Sequence, residues 1–98
     1  MNSITVEELK PLISEVKIID IRDNYRFILG HIPTAINIPM NFIMTNPENY
    51  LNNNEQYYIC CEHGSRSKQV SEFLIKKGYN CVNIIGGYNE YKLLIHKQ

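Results

Sequence analysis

Residues 60–67 of the chain, CCEHGSRS, combine residue types that could carry thiol chemistry. Two adjacent cysteines end an apolar run, and a glycine, an arginine and two serines follow at once. Gly64 permits a backbone conformation in which successive N–H groups point towards one centre, and such a nest favours an anion. A cysteine at the mouth of this loop would be held as a thiolate, which is the nucleophilic form. The same segment could also be a metal site, a disulfide site or a simple turn.

The cysteine and histidine content favours the nucleophile among these alternatives. The chain has three cysteines, Cys60, Cys61 and Cys81, and an odd number in a cytosolic chain is poor material for disulfides. It has no C-x-x-C pair and its three histidines are scattered, so we expect no metal and no cofactor. His31 is interpreted as a structural residue that ties a turn.

Length and charge limit the class of protein. With 98 residues, the default is one domain that spans residues 1–98. A formal net charge of zero argues against a nucleic-acid partner held by bulk electrostatics. No apolar run approaches the length of a membrane span, so we expect no membrane partner. The N-terminal segment MNSITVEELK lacks the apolar core of a secretion signal, which predicts a cytoplasmic protein.

Short apolar runs alternate with helical patterns along the chain. The apolar runs predict strands over residues 16–20, 35–39, 57–60 and 81–85. Helices are predicted over residues 24–30, 67–78 and 88–96, after a short first helix. Thr5 and Glu8 form the capping-box pattern that starts this first helix, and Pro11 shortens or bends it. Within residues 40–55, Pro47 could open a short helix through Leu51, and the asparagine run that follows is interpreted as a loop.

This alternation favours an α/β domain with a mostly parallel sheet. In such sheets, ligands bind beyond the carboxyl ends of the strands. The runs IIDIR and YYICC each deliver polar or reactive residues at such an end. If the two strands are parallel, Asp20, Arg22 and Cys61 lie on the same rim. Asp20 and Arg22 are then expected to pair and to brace that rim.

Each residue of the loop receives an expected role. Backbone N–H groups of residues 62–66, with a helix N-terminus and Arg66 behind them, should stabilise the sulfur anion. Ser65 or Ser67 should cap the following helix. Glu62 places a negative charge beside the pocket that partly offsets Arg66. His63 either lines the pocket mouth or is a solvated loop residue.

The other two cysteines are expected to pack in the core. Adjacent residues of a strand face opposite sides of the sheet, so only one residue of the Cys60–Cys61 pair can face the nest. The loop spacing to Gly64 and Arg66 counts from Cys61. Cys60 is therefore interpreted as a buried spectator thiol and Cys61 as the nucleophile. Cys81 is interpreted as a packing residue at the start of a strand.

Three segments, in order, resemble the single-domain rhodanese-like sulfurtransferase family. CEHGSRS is similar to the family's Cys-x-x-Gly-x-Arg-Ser loop, and IIDIRDNYRFILGHIPTAINIP to its Asp-Val-Arg-Glu … Gly-His-Ile-Pro-Gly-Ala-x-Asn-Ile-Pro segment. GYNCVNIIGGYNEYK resembles the family's Gly-Phe-x-x-Val-x-x-Leu-x-Gly-Gly-x-x-x-Trp segment. The chain departs from the pattern at Asp23, Arg26, Thr34 and Tyr91. None of these positions lies in the loop, so we expect them to affect only the rim of the pocket.

The resemblance implies a central parallel sheet of about five strands with helices on both faces. It also implies that Cys61 carries a persulfide in a six-residue loop, residues 61–66. Related cell-cycle phosphatases have a loop one residue longer, which disfavours phosphatase or arsenate reductase chemistry. The predicted function is transfer of a sulfane sulfur from thiosulfate or a low-molecular-weight persulfide to a thiol acceptor, which could be a protein. The non-enzymatic alternative is a persulfide carrier or binding module that serves a dedicated partner.

Overall fold

A five-stranded parallel sheet organises the computed structural model, which describes residues 2–97. The strands are β1 (Ser3–Thr5), β2 (Lys17–Asp20), β3 (Ile36–Asn37), β4 (Gln56–Cys60) and β5 (Asn80–Ile85). They lie in the order β1-β5-β4-β2-β3, and every neighbouring pair is parallel. The predicted α/β class with a parallel sheet is therefore confirmed.

Helices connect successive strands. They are α1 (Val6–Leu9), a 3-10 helix (Lys10–Glu15), α2 (Asn24–Leu29), α3 (Met40–Thr45), a 3-10 helix (Pro47–Asn49), α4 (Ser65–Lys76) and α5 (Gly87–His96). Thr5 and Glu8 exchange both hydrogen bonds of the predicted capping box at the start of α1. None of the helices within residues 2–97 is both long and apolar enough to traverse a lipid bilayer.

The sheet separates two apolar cores, one on each face. Alternate residues of β4 supply them, because Tyr57, Ile59 and the following Cys61 face one side and Cys60 faces the other. The Cys61 side packs under α3 and α4, through residues that include Ile43, Val70 and Leu74. The Cys60 side packs under α1, α2 and α5, through residues that include Val6, Leu9, Phe27 and Leu94. Helices thus cover both faces, as the resemblance implied.

Two elements differ from the sequence predictions. β1 (Ser3–Thr5) was not predicted, because three residues are too few to show alternation and Thr5 also caps α1. Residues 40–45 were assigned no element but form α3. Pro39 precedes this helix and provides no capping side chain, so the usual start signal is missing. Tertiary packing of the fully buried Ile43 holds the helix instead.

The turn before β3 contains the one non-glycine residue with positive φ among residues 2–97. Thr34 has φ of 73° at the position where the family motif has glycine. A β-branched residue is disfavoured in this conformation. The Thr34 hydroxyl donates to the Ile13 carbonyl at 3.2 Å, which offsets part of that cost.

Candidate active site

Cys61 lies directly after β4, at the carboxyl edge of the sheet, with only 4% of its surface exposed. The Gly64 N–H donates to the Cys61 Sγ at 3.0 Å, and the Ser67 N–H donates to it at 3.3 Å. The Ser67 Oγ lies 3.2 Å from the same sulfur. Two backbone donors and one hydroxyl therefore converge on a single sulfur atom. We call this arrangement, residues 61–67, the sulfur cradle.

The donors of the sulfur cradle differ in part from those expected. Of residues 62–66 only Gly64 donates to the sulfur, and the second backbone donor, Ser67, lies one residue beyond that range. Helix α4 begins at Ser65, and its N-cap is Gly64, so neither serine caps the helix with its side chain. Ser67 is instead fully buried, with its hydroxyl beside the sulfur. The serine was predicted as a loop residue, but this contact was not.

Arg66 does not reach the sulfur. Its side chain is exposed, lines the cavity outside the cradle, and makes no hydrogen bond within residues 2–97. The arginine therefore contributes charge at the mouth of the site, and the backbone supplies the contacts to the sulfur. The expectation that the charge of Arg66 helps to stabilise a sulfur anion stays a prediction.

Helix α5 holds the loop from behind. The Tyr88 N–H donates to the Cys61 carbonyl and the Asn89 N–H to the Glu62 carbonyl, each at 2.9 Å. These bonds fix the loop carbonyls on the side away from the sulfur. Gly87 permits the approach, because a Cβ atom there would lie 2.4 Å from the Cys61 carbonyl oxygen. The sequence analysis did not predict this contact of Gly87.

Gly64 is the second point where only glycine fits. Its φ is +99°, in the left-handed region, and this conformation turns its N–H towards the sulfur. A Cβ atom at Gly64 would lie 2.7 Å from the Gly86 backbone nitrogen. Both the conformation and the close backbone contact therefore require glycine here.

Asp20 and Arg22 pair as expected. The Arg22 Nε donates to the Asp20 Oδ1 at 3.0 Å and the Arg22 Nη2 to the Oδ2 at 2.7 Å, and both side chains are buried. Arg22 also donates to the Gly30 carbonyl and to the Glu62 carboxylate, at 2.8 and 3.1 Å. Burial lowers the pKa of Arg22, but the bonds to Asp20 and Glu62 outweigh it and raise that pKa above its usual value. The pair thus links β2 to the loop after Cys61.

Glu62 is paired with arginines other than the expected one. Its Oε1 lies 3.1 Å from the Arg22 Nη1 and 3.6 Å from the Arg26 Nη1. Arg26 occupies a position where the family motif has an acid, so the departure supplies a partner for Glu62. Because two arginines neutralise this carboxylate, its effect on an anionic substrate should be smaller than the sequence indicated.

The remaining cysteines are buried. Cys60 has no exposed surface, and burial, aided by the nearby Asp20, raises the pKa of its thiol far above the ordinary value. Burial also raises the pKa of Cys81, from 9.0 to about 11. Both thiols therefore stay protonated near neutral pH. The prediction that they are packing residues agrees with this burial.

A cavity of about 810 Å³ opens in front of the sulfur cradle. Its walls come from the segment after β2, from α2, α3 and α5, and from the cradle. The lining includes Ile21, Arg22, Asp23, Arg26, Met40, Met44, Cys61, Glu62, His63, Ser65, Arg66 and Asn89. The structure thus brings most predicted site residues to one place. Asp20 lies behind Arg22, and Gly64 and Ser67 form the cradle itself. Their roles in chemistry stay predictions.

His31 lies away from the sulfur cradle. Its Nδ1 is 2.8 Å from the Phe27 carbonyl oxygen, and its ring stacks on the Phe27 ring at 3.8 Å between centroids. This geometry agrees with a structural histidine. Within residues 2–97 no cluster of three or more histidine, cysteine, aspartate or glutamate side chains could hold a metal ion.

The fold and the site define a class of protein before any comparison. A parallel α/β sheet presents a cysteine thiol in a backbone cradle at the carboxyl end of a central strand, and this arrangement suits an anionic sulfur. The family model of the rhodanese-like domain matches residues 5–94. The chain belongs to the rhodanese-like domain family.

Individual relatives and one solved structure agree with this assignment. The chain is 34% identical over 73 residues to YtwF of Bacillus subtilis, provisionally named a sulfurtransferase, with 74% of this chain and 70% of YtwF covered. It is 33% identical over 73 residues to the thiosulfate sulfurtransferase GlpE of Haemophilus influenzae, covering 74% and 69%. The crystal structure of SSP1007 from Staphylococcus saprophyticus is 46% identical, covers 93% of both chains and has a TM-score of 0.85.

A further relative is named differently. YrkF of Bacillus subtilis, provisionally named a sulfur carrier protein, is 29% identical over 77 residues. The match covers 78% of this chain but only 41% of YrkF. At the level of the family, these names support sulfur transfer.

Proposed function

We propose that this protein is a sulfurtransferase that works through a persulfide on Cys61. The Cys61 thiolate attacks the sulfane sulfur of the donor, and the sulfur–sulfur bond within the donor breaks. Sulfite or a thiol leaves with the bonding electrons, and Cys61 keeps the transferred sulfur as a persulfide anion. An acceptor thiolate, or cyanide in an assay, then attacks the outer sulfur and releases the Cys61 thiolate. The sulfur atom is transferred twice, from the donor to Cys61 and from Cys61 to the acceptor, and no external oxidant or reductant is needed.

The observation that carries the proposal is the sulfur cradle. Gly64 and Ser67 aim backbone N–H groups at the Cys61 sulfur, and the helix N-terminus of α4 lies behind them. Such donors favour negative charge on that sulfur over a neutral thiol. Arg66, which lines the cavity, adds positive charge on the path of an anionic donor.

The size of the cradle favours sulfur over phosphate. The loop from Cys61 to its arginine, Arg66, is six residues long, and the donors converge on one atom. A phosphate would need donors for three oxygens spread around the sulfur. This supports the choice of sulfur transfer over phosphatase chemistry.

The cavity in front of the cradle suits donors larger than thiosulfate. Its volume of about 810 Å³ lies in the range of sites for organic ligands, and Ile21, Met40 and Met44 give it an apolar wall. We propose that a low-molecular-weight organic persulfide, or a cysteine of a partner protein, fills it more fully than thiosulfate does. A thiol acceptor would use the same opening.

Intact-mass spectrometry tests the proposal directly. Incubation with thiosulfate, or with glutathione persulfide, should add one sulfur to the native protein and none to Cys61→Ser. Cys60→Ser is the matched control, and it should still gain one sulfur. Equal loading of Cys61→Ser would overturn the assignment, and so would Cys61-dependent hydrolysis of aryl phosphates at a rate above sulfur transfer.

The carrier alternative has one supporting observation, the name of its relative YrkF. Turnover separates the two functions. An enzyme should pass sulfur repeatedly to a free thiol or cyanide, so product should exceed protein many-fold. Loading of one sulfur without turnover would favour the carrier.

A further inference from the structure

A buried chain of polar groups connects Cys61 to the middle of β5. The Ser67 hydroxyl lies 3.2 Å from the Cys61 Sγ and 2.5 Å from the Asn83 Oδ1. Asn83 has only 7% of its surface exposed and Ser67 has none. Asn83 faces the same side of the sheet as Cys81, two residues earlier, and meets the first turn of α4 there. Nothing in the loop sequence points to this residue.

The Ser67 hydroxyl can donate its single proton to one of three neighbouring acceptors. These are the Asn83 Oδ1, the Gly64 carbonyl at 3.2 Å, and the Cys61 sulfur when it is anionic. A separation of 2.5 Å between two oxygens requires the proton between them, so Ser67 here donates to Asn83. Its oxygen then accepts from the Cys61 S–H, an arrangement that fits the neutral thiol.

The Asn83 amide can reverse this arrangement at little cost. Rotation of the amide by 180° exchanges Oδ1 and Nδ2, two groups of nearly equal size. The one side-chain hydrogen bond of Asn83 within residues 2–97 is the bond from Ser67 to its Oδ1, so the rotation breaks only that bond. With Nδ2 towards Ser67, the amide donates to the Ser67 oxygen. The Ser67 proton is then free to point at the sulfur.

We propose that Asn83 is a positioning residue that sets the direction of the Ser67 hydroxyl and so adapts the sulfur cradle to both charge states of Cys61. When Cys61 is a thiol, Asn83 accepts from Ser67. When Cys61 is a thiolate, Asn83 donates to Ser67, and Ser67 donates to the sulfur. No proton passes through Asn83, because the proton lost by Cys61 leaves to solvent or base. The inference rests on the proposed function only in taking Cys61 as the reacting thiol.

The pH profile of iodoacetamide alkylation of Cys61 measures this role without any sulfur transfer. Asn83→Leu keeps the approximate size of the side chain but removes both the acceptor and the donor. The Ser67 hydroxyl should then donate to the Gly64 carbonyl, its other neutral acceptor, and no amide would turn it towards the sulfur. The alkylation midpoint should rise by about 0.5 to 1 pH unit, a roughly threefold to tenfold lower thiolate fraction below the midpoint. Asn83→Asp keeps the acceptor and removes the donor, and its midpoint should rise at least as much.

The matched controls lie in the same strand. Asn80 is exposed at the start of β5, and its side chain accepts a hydrogen bond from Gln56. Asn80→Leu and Asn80→Asp should leave the midpoint unchanged. An unchanged midpoint in folded Asn83→Leu or Asn83→Asp would overturn the proposal.

A double-mutant cycle identifies the route of the effect. If Asn83 acts through Ser67, Asn83→Leu should shift the midpoint far less in a Ser67→Ala background than in the native protein. Additive shifts would mean that Asn83 acts on Cys61 independently, which contradicts the proposal. The thermal transition of each variant verifies that it remains folded.

A measurement on the native protein covers the case in which the Asn83 variants do not fold. The side-chain NH₂ signals of Asn83 should shift in ¹⁵N NMR spectra with the same pH midpoint as Cys61 alkylation. The shift should disappear in Ser67→Ala. Signals that do not respond to pH in the native protein would overturn the proposal. Failure of sulfur loading with a normal Asn83 response would instead count against the proposed function alone.

Discussion

Two sulfur atoms one peptide bond apart lie in different environments. Cys60 and Cys61 are 0% and 4% exposed, so burial alone hardly distinguishes them. Cys60 packs among Val6, Ile18 and other apolar side chains on one face of the sheet. Cys61 faces the other side, where it receives the backbone N–H groups at the start of α4. We therefore expect the donors around each buried thiol, rather than its depth, to determine its reactivity.

The two faces also differ in how the chain is held. On the Cys60 face, non-directional apolar packing dominates away from the buried Asp20–Arg22 pair, which lies on the same face near Cys60. Around Cys61, the loop is fixed by directed bonds, from the amides of α5 to the loop carbonyls and from Arg22 to Glu62. A substitution should therefore change stability on the first face and reactivity on the second.

The largest expected effect separates the two cysteines themselves. Cys61→Ala should abolish fast alkylation by iodoacetamide near neutral pH, because the remaining thiols are buried with raised pKa values. Cys60→Ala should keep the fast thiol and most sulfur transfer. Peptide mapping after a short pulse of iodoacetamide measures both outcomes. Loss of fast labelling in a folded Cys60→Ala protein would mean that the loop register is wrong by one residue.

Gly64→Ala should damage both the sulfur cradle and the fold. The added Cβ combines a left-handed backbone with a 2.7 Å contact to the Gly86 nitrogen, so the loop must move. We expect alkylation at least about tenfold slower and a stability loss of roughly 3 kcal/mol. Kinetic labelling and urea unfolding measure the two effects.

Gly78→Ala is the matched control. Gly78 has the same φ of +99°, but a Cβ atom there would meet nothing within 4 Å. It should cost roughly 1 kcal/mol through backbone strain and leave the alkylation rate unchanged. Equal alkylation rates in Gly64→Ala and Gly78→Ala would show that the Gly64 geometry is not needed for reactivity.

Alkaline pH should weaken the fold through the thiols outside the cradle. The pKa of Cys81 is about 11 in the folded protein against an ordinary value of 9.0, so the unfolded chain loses this proton first. The associated stability is intact below pH 9 and declines from there towards pH 11, by about 1 kcal/mol at pH 10. The raised pKa of the Cys60 thiol also lowers the stability of the fold at alkaline pH. The free energy of unfolding should therefore fall less between pH 8 and 10 in Cys81→Ala than in the native protein; an equal fall would contradict this assignment.

The smallest expected effect lies outside both cysteine environments. Thr34→Gly should relieve the positive φ at the cost of a more flexible unfolded chain and of the bond to the Ile13 carbonyl. The balance should raise stability by roughly 0.5 kcal/mol and leave Cys61 alkylation unchanged. Thermal unfolding beside a labelling assay tests this, and a lower melting temperature would show that the hydroxyl bond outweighs the strain.

The sequence by itself predicted the elements with strong local signals. Apolar runs marked β2, β4 and β5, and the Thr5–Glu8 pair marked the start of α1, because each signal depends on neighbouring residues. Alternation along β4 also predicted that Cys60 and Cys61 face opposite sides. The pairing of Asp20 with Arg22 was predicted too, since both follow the same strand.

Only the tertiary structure revealed the groups that come to the site from distant parts of the chain. The α5 amides on the loop carbonyls, Arg26 beside Glu62, and Asn83 beside Ser67 join residues separated by many positions. Their side chains have no local pattern that predicts such contacts, because the sheet order β1-β5-β4-β2-β3 decides which strand ends meet. The cysteine and its loop could thus be found in the sequence, but the partners that orient the loop depend on how β5 and α5 pack against it.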